Sequence, residues 1–207
     1  DLHSFPTRRS SDLTNGPRWV QRRLNAAGMR PINSIVDATN YVMLELGLPL
    51  HAFDYDSLVR RANGAAPAIV TRHARSGEVL KTLDDVERTL DDSMMLVTDG
   101  AGALSIGGIM GGMESEILPE TTRVLLESAA WNFVNIRKTA TKLRLSSEAG
   151  YRNSRGVHPN IAREACEACL SRMVDWSGGR IAPGTIDRYP NALVRSEERR
   201  VGKECRS

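Results

Sequence analysis

The feature that most constrains this chain is the block from Arg30 to Asp54, Arg-Pro-Ile-Asn-Ser-Ile-Val-Asp-Ala-Thr-Asn-Tyr-Val-Met-Leu-Glu-Leu-Gly-Leu-Pro-Leu-His-Ala-Phe-Asp. Ile35, Ala38, Val42 and Leu46 recur at helical spacing, and Gly47 and Pro49 stop the pattern. The spacing predicts a helix from Asn33 or Ser34 to Leu46, followed by a connector. Asp37, Thr39, Asn40 and His51 interrupt an otherwise buried stretch. A core helix has no use for polar groups there, whereas a ligand site does.

Around this block the pattern alternates in type. Pro17 to about Ala27 reads as a first helix, with Gly28 as its stop. Strands are expected at 68–72, 79–83, 87–90, 94–98, 104–106 and 123–127, separated by turn signals such as Ser76-Gly77 and Asp99-Gly100. Helices return at about 132–144 and 160–175, and Arg180–Arg188 reads as a last strand. The expected class is therefore α+β, a single domain with a central, mostly antiparallel β region flanked by helices in layers (β/β/α). No linker divides residues 15–190.

The two ends carry no credible period. Residues 1–13 and 195–207 read as non-native ends, leaving residues 14–190 as the domain. The ends hold seven of the 28 Lys and Arg and five of the 25 Asp and Glu. The remainder is nearly balanced, so the overall +3 charge is weak evidence for nucleic-acid binding, and RNA contact would have to come from local patches. No apolar run approaches the roughly 20 residues that span a bilayer, and no charged-then-apolar stretch leads one to expect a secretory leader.

Several chemistries are unsupported. Cys166 and Cys169 form a lone CxxC that fits the apolar face of a helix better than a metal or redox site. The four histidines are scattered, so no metal site is expected. Thr-Leu-Asp-Asp occurs at 82–85 and 89–92, where polar hairpin turns explain the aspartates more simply than a cation does. The glycine runs lack the lysine of a phosphate loop and the spacing of a dinucleotide loop. No Gly-x-Ser-x-Gly elbow is present.

Four collinear segments carry a family resemblance: Val36–Asp54, Ile106-Gly-Gly-Ile-Met-Gly-Gly112, Val124-Leu-Leu-Glu-Ser128 and Ser146–Pro159. Across residues 15–190 the chain resembles the amino-acid editing domain in the β subunit of bacterial phenylalanyl-tRNA synthetases. The resemblance implies hydrolysis of tyrosine wrongly esterified to the phenylalanine tRNA, in a cytoplasmic ligase complex. By motif, Glu127 would accept the tyrosine hydroxyl, and His51 would face the ester end and position water or ribose. Thr39 and Asn40 would line the pocket, Gly108 and Gly111 would bring bare backbone to the ligand, and Ser147 and Ala149 would close another wall. Arg30 would sit near the tRNA end. Many family members carry threonine where this chain has Ser147, which keeps the hydroxyl and loses a methyl.

From the residues alone, Glu127 reads rather as a surface acid at a strand end, and His51 reads equally as a connector histidine capping the preceding helix. The absence of a serine or cysteine paired with a base points to water as nucleophile. No cofactor is expected in this segment, and the resemblance implies ATP and magnesium only for the parent synthetase. Implied partners are the acceptor end of tRNA(Phe) and the synthetase α subunit, with no DNA and no membrane. Two alternatives stay open: a non-catalytic module that binds tRNA or an aromatic amino acid, and an architectural domain that docks the catalytic subunit.

Overall fold

The structure, a computed structural model, describes residues 15–189. The two segments read as non-native ends, 1–13 and 195–207, lie outside the described residues.

Helix α1 (Arg18–Ala26) buries Val20 and Leu24. Trp19 remains half exposed, set edge-on against Tyr41 and Trp176 at ring separations of 5.5 and 6.0 Å. Helix α2 (Ser34–Leu46) has the bounds that its periodicity predicts. Asn33 caps its start by accepting from the amides of Ile35 and Val36. Gly47, at φ 78°, ends it in the left-handed region, where a side chain would be strained. Asp37 is fully buried and accepts from the Ile32 amide at 2.8 Å, which fastens the α1–α2 connector to the helix. Burial raises its carboxyl above the usual range despite that bond.

The expected connector after Pro49 is instead a strand, β1 (Leu50–Asp54). Asp54 then caps α3 (Tyr55–Arg61), accepting from the Ser57 amide and, through its other oxygen, from the Thr121 hydroxyl at 2.7 Å. Six of the remaining strands stand at sequence-expected positions within one or two residues: β2 (Val70–His73), β3 (Val79–Lys81), β4 (Glu87–Thr89), β5 (Met95–Thr98), β6 (Ala103–Ile106) and, after a two-residue strand β7 (Met110–Gly111), β8 (Val124–Ser128). Helices α4 (Phe133–Leu143), α5 (Glu148–Asn153) and α6 (Ile161–Ser177) follow.

Every strand pair is antiparallel: a four-stranded sheet ordered β2-β5-β6-β7, a β3–β4 hairpin, and a two-stranded ribbon of β1 and β8. The ribbon lies between layers. Helices α2 and α6 pack on it, with the Ser128 hydroxyl donating to the Ala162 carbonyl of α6 at 2.6 Å. Phe53 and Leu125 of the ribbon share a core with Val97 and Leu104 of the sheet. A second core lies on the other face of that sheet, where Leu96 and Ile106 meet Leu80, Ile109 and Ile136. The fold is thus a single α+β domain, as its pattern of elements predicts.

Two sequence expectations resolve differently in kind. Arg180–Arg188 forms no strand: residues 178–189 have no regular structure, and Pro183 removes an amide while Gly184 takes φ 97°. The repeated Thr-Leu-Asp-Asp segments are turns held by local charges, with Asp84 bound to Arg88, Asp85 to Lys81 and Asp91 to Lys142. On α6, Cys169 is buried and Cys166 half buried, and burial raises both thiols.

Candidate functional site

The β1–β8 register sets His51 directly opposite Glu127. Directly opposed residues of an antiparallel pair project from the same face. That face looks toward the four-stranded sheet, because the His51 ring stacks edge-on against Phe53 at 4.4 Å and lies beside Gly111 of β7. The carboxyl and the imidazole make no ion pair within 4 Å. Although both residues are only partly buried overall, Oε2 of Glu127 and Nε2 of His51 are sealed from solvent and have no hydrogen-bond partner among the described residues.

Burial without compensation penalises the charged form of each group. The Glu127 carboxyl is pushed up to about 7 and the His51 imidazole down to about 4. Near neutral pH the imidazole is therefore uncharged, and the carboxyl is poised between its two forms. A polar partner arriving at either atom removes a penalty the folded chain already carries.

Glycine backbone closes the site on the sheet side. A β-carbon on Gly111 would lie 2.5 Å from Cε1 of His51 and 2.9 Å from both Nε2 of His51 and Cδ1 of Leu83. Leu83, at the tip of the β3–β4 hairpin, also donates its amide to the Gly111 carbonyl at 3.0 Å. Gly107 and Gly108 face the Trp131 ring, where β-carbons would approach to 2.6 and 2.5 Å. The close approach of backbone to ring requires glycine at these positions.

Ser147 and Asn153 fix this glycine segment to α5. The Ser147 hydroxyl caps α5 by accepting from the Gly150 amide and donates to the Ile109 carbonyl at 2.7 Å. Asn153 donates to the Gly108 carbonyl at 2.8 Å, while its own Oδ1 is buried and unpaired. The methyl that a threonine would add at Ser147 is therefore not needed for its hydrogen bonds.

The structure thus brings His51, Glu127 and Gly111 together and connects Gly108 and Ser147 to them through the 107–111 segment. Ala149 is half buried on α5 beside that connection. Thr39 turns its hydroxyl onto its own helix, donating to the Val36 carbonyl at 2.8 Å. The half-buried Asn40 side chain makes no hydrogen bond with the described residues, and α2, which carries both, packs along β1. Arg30 stands exposed in the α1–α2 connector and supplies no hydrogen bond to Nε2 of His51 or Oε2 of Glu127. Trp131 and Leu83 are neighbours of the site that sequence reasoning missed. Paired glycines at 107–108 were the available signal, since they imply a flat group pressed against the backbone.

A family model described as B3/4 domain matches residues 7–178. This chain belongs to the B3/4 domain family. Among curated proteins, it is similar to the phenylalanine–tRNA ligase beta subunit of Moorella thermoacetica, 47% identical over 84% of this chain and 21% of that protein. The corresponding subunits of Dehalococcoides mccartyi and Geobacter metallireducens are 46% and 45% identical, over 89% and 91% of this chain and 22% and 23% of theirs. The B3/4 chain described here spans about a fifth of the length of these relatives. The resemblance read from four short motifs therefore extends over most of the sequence. Among the described residues, no helix is long and apolar enough to cross a membrane, and no three His, Cys, Asp or Glu side chains converge as a metal site.

Proposed function

We propose that this B3/4 domain is an editing hydrolase that removes tyrosine wrongly esterified to tRNA(Phe). The observation that carries the reading is the cross-strand pair of sealed, unpartnered polar atoms, Oε2 of Glu127 and Nε2 of His51, beside bare glycine backbone. Tyrosine and phenylalanine differ by one hydroxyl. Glu127 supplies a partner for that hydroxyl, and a phenylalanyl group entering the same site leaves the buried carboxyl unpaired. Sites built this way reject the analogue lacking the hydroxyl by roughly 10⁴–10⁵.

His51 supports the ester end. With its imidazole near 4, it is a weak base at neutral pH, which suits a group that holds water or ribose in place rather than one that takes a full proton. No described hydroxyl or thiol hydrogen-bonds to His51 or Glu127, which favours direct attack by water. The water oxygen adds to the ester carbonyl carbon, the bond to the ribose oxygen breaks, and the water's proton ends on that ribose oxygen. Free tyrosine and uncharged tRNA leave. Because the ester is already activated, positioning supplies much of the rate.

Within a parent ligase the domain would act on the acceptor end of tRNA(Phe), alongside an α subunit, in the cytoplasm. ATP and magnesium would serve the ligation reaction elsewhere in that protein. The described residues here offer no cluster of metal ligands, and the Gly107–Gly108 backbone is filled by Trp131 rather than open to a phosphate. No step of the hydrolysis runs through either group.

Deacylation of tyrosyl- and phenylalanyl-tRNA(Phe) by the full chain, beside Glu127→Ala and His51→Ala, tests the reading. Selective loss of tyrosine, weakened by either substitution, is expected. Equal cleavage of both esters, or full activity in Glu127→Ala, refutes it. Tyrosine binding without hydrolysis would instead identify a binding module.

A further inference from the structure

Charge is unevenly placed along this chain. Residues 133–159 hold six Lys and Arg and a single acid, Glu148, whereas the rest of the chain holds 22 bases against 24 acids. This basic stretch forms α4, α5 and the turn beyond. It also exposes two large rings, Phe133 at 43% and Tyr151 at 56%. Each carries an arginine: Cζ of Arg137 lies 4.9 Å from the Phe133 centroid, and Cζ of Arg155 lies 3.4 Å from the Tyr151 centroid. A β-carbon on Gly156 would lie 3.6 Å from Phe133, so the two ring–arginine pairs are neighbours joined through the Arg155-Gly156 backbone.

We propose that this face is a docking surface for a single-stranded RNA end, with Phe133 and Tyr151 as stacking rings and Arg137, Arg144 and Arg155 as phosphate partners. Aromatic rings interleaved with cations are the combination that holds unpaired nucleotides: bases stack on the rings while the cations track the backbone. These three arginines are exposed and have no ion-pair partner among the described residues. Their neighbours Lys142 and Arg152 are different, since Asp91 and Glu148 neutralise them. Helix α1 also exposes Arg18 and Arg22, but its ring, Trp19, is engaged edge-on with Tyr41 and Trp176. Trp19 is 49% exposed and carries Arg23 at 5.1 Å, but unlike Phe133 and Tyr151 it is tied into an aromatic cluster.

Position relative to the site supports the same occupant. Helix α5 carries Tyr151 and is fixed by Ser147 and Asn153 to the carbonyls of Ile109 and Gly108, in the segment that reaches Gly111 and the His51 ring. A strand laid on α4 and α5 would be delivered to the His51–Glu127 pair. This assignment of the strand as a tRNA 3′ end rests on the proposed hydrolysis of a tRNA-borne ester.

The test is fluorescence anisotropy of the full chain with a short labelled single-stranded RNA ending in CCA. Tyr151→Ala and Phe133→Ala should each weaken binding about tenfold. Arg155→Ala should make the slope of log affinity against log salt shallower by about 0.7. Binding of free tyrosine should stay unchanged in all three. Wild-type affinity in the two ring variants, or no binding of the RNA at low salt, overturns the proposal. So does an equal loss from Arg22→Glu on α1, which would signal bulk charge rather than this surface. Tyr151 is mostly solvent-exposed, so Tyr151→Ala remains decisive if Phe133→Ala fails to fold. RNA binding through this face without ester hydrolysis would sink the editing reading and leave the surface standing.

Discussion

Replacing Glu127 by glutamine removes a carboxyl that burial carries from 4.5 to about 7. The folded state holds that proton more tightly than the unfolded chain does. Stability is therefore greatest below pH 4.5 on this account and falls as pH rises to 7, by about 3 kcal/mol at roughly 1.4 kcal/mol per pH unit. His51 works in the opposite sense. Burial carries its imidazole from 6.5 down to about 4, so the unfolded chain binds the extra proton. Its contribution makes the fold about 3 kcal/mol less stable at pH 4 than above 6.5. In the wild-type chain the two slopes oppose each other across nearly the same window, and their sum is almost flat. The single variants should separate them. Urea unfolding between pH 4 and 8 should show Glu127→Gln gaining stability as pH rises from 4 to 6.5, and His51→Gln losing it from 4.5 to 7. Above pH 7, Glu127→Gln should exceed the wild type by about 3 kcal/mol. Two variants with the same pH profile as the wild type would mean that neither group is buried as the ribbon places it.

Gly111→Ala keeps an ordinary backbone conformation but drives a methyl into the His51 ring, which Phe53 backs from another side. The overpacking should cost about 1–3 kcal/mol, measured as a Tm lowered by several degrees. An unchanged Tm would show that the ring can move aside. Ser147→Ala removes both the α5 cap and the bond to the Ile109 carbonyl, for a loss of about 1–3 kcal/mol in urea unfolding. Ser147→Thr keeps the hydroxyl and should stay within about 0.5 kcal/mol of the wild type.

Helices were the most legible elements, because their signals are local. In α2 the Asn33 cap, the apolar spacing and the Gly47 stop all lie within fifteen consecutive positions, and all agree. Strand β1 was not legible, since Leu50–Asp54 follows Pro49 and becomes a strand only by pairing with β8. Strand β7 is two residues long and α3 and α5 are seven and six, too short for a period to declare itself. Arg180–Arg188 misled in the opposite way, with apolar residues spaced like a strand but Pro183-Gly184 at the centre. At the site, the motifs identified His51 and Glu127 as notable residues, but their opposition depends on strand register. Trp131 shows the same limit: its contact with Gly107 and Gly108 spans more than twenty residues of chain.

The two strands of the ribbon are separated by the whole four-stranded sheet and the β3–β4 hairpin. Nothing near Leu50–Asp54 in sequence can assemble half of the site in advance. Folding must close a loop of some seventy residues before His51 meets Glu127, an entropic cost that grows only slowly with length but must precede the reward. The pair therefore reports on closure of the whole intervening segment. A nascent chain released before β8 would carry every residue of α2 and β1 and still have no site, so competence for chemistry arrives together with the finished fold.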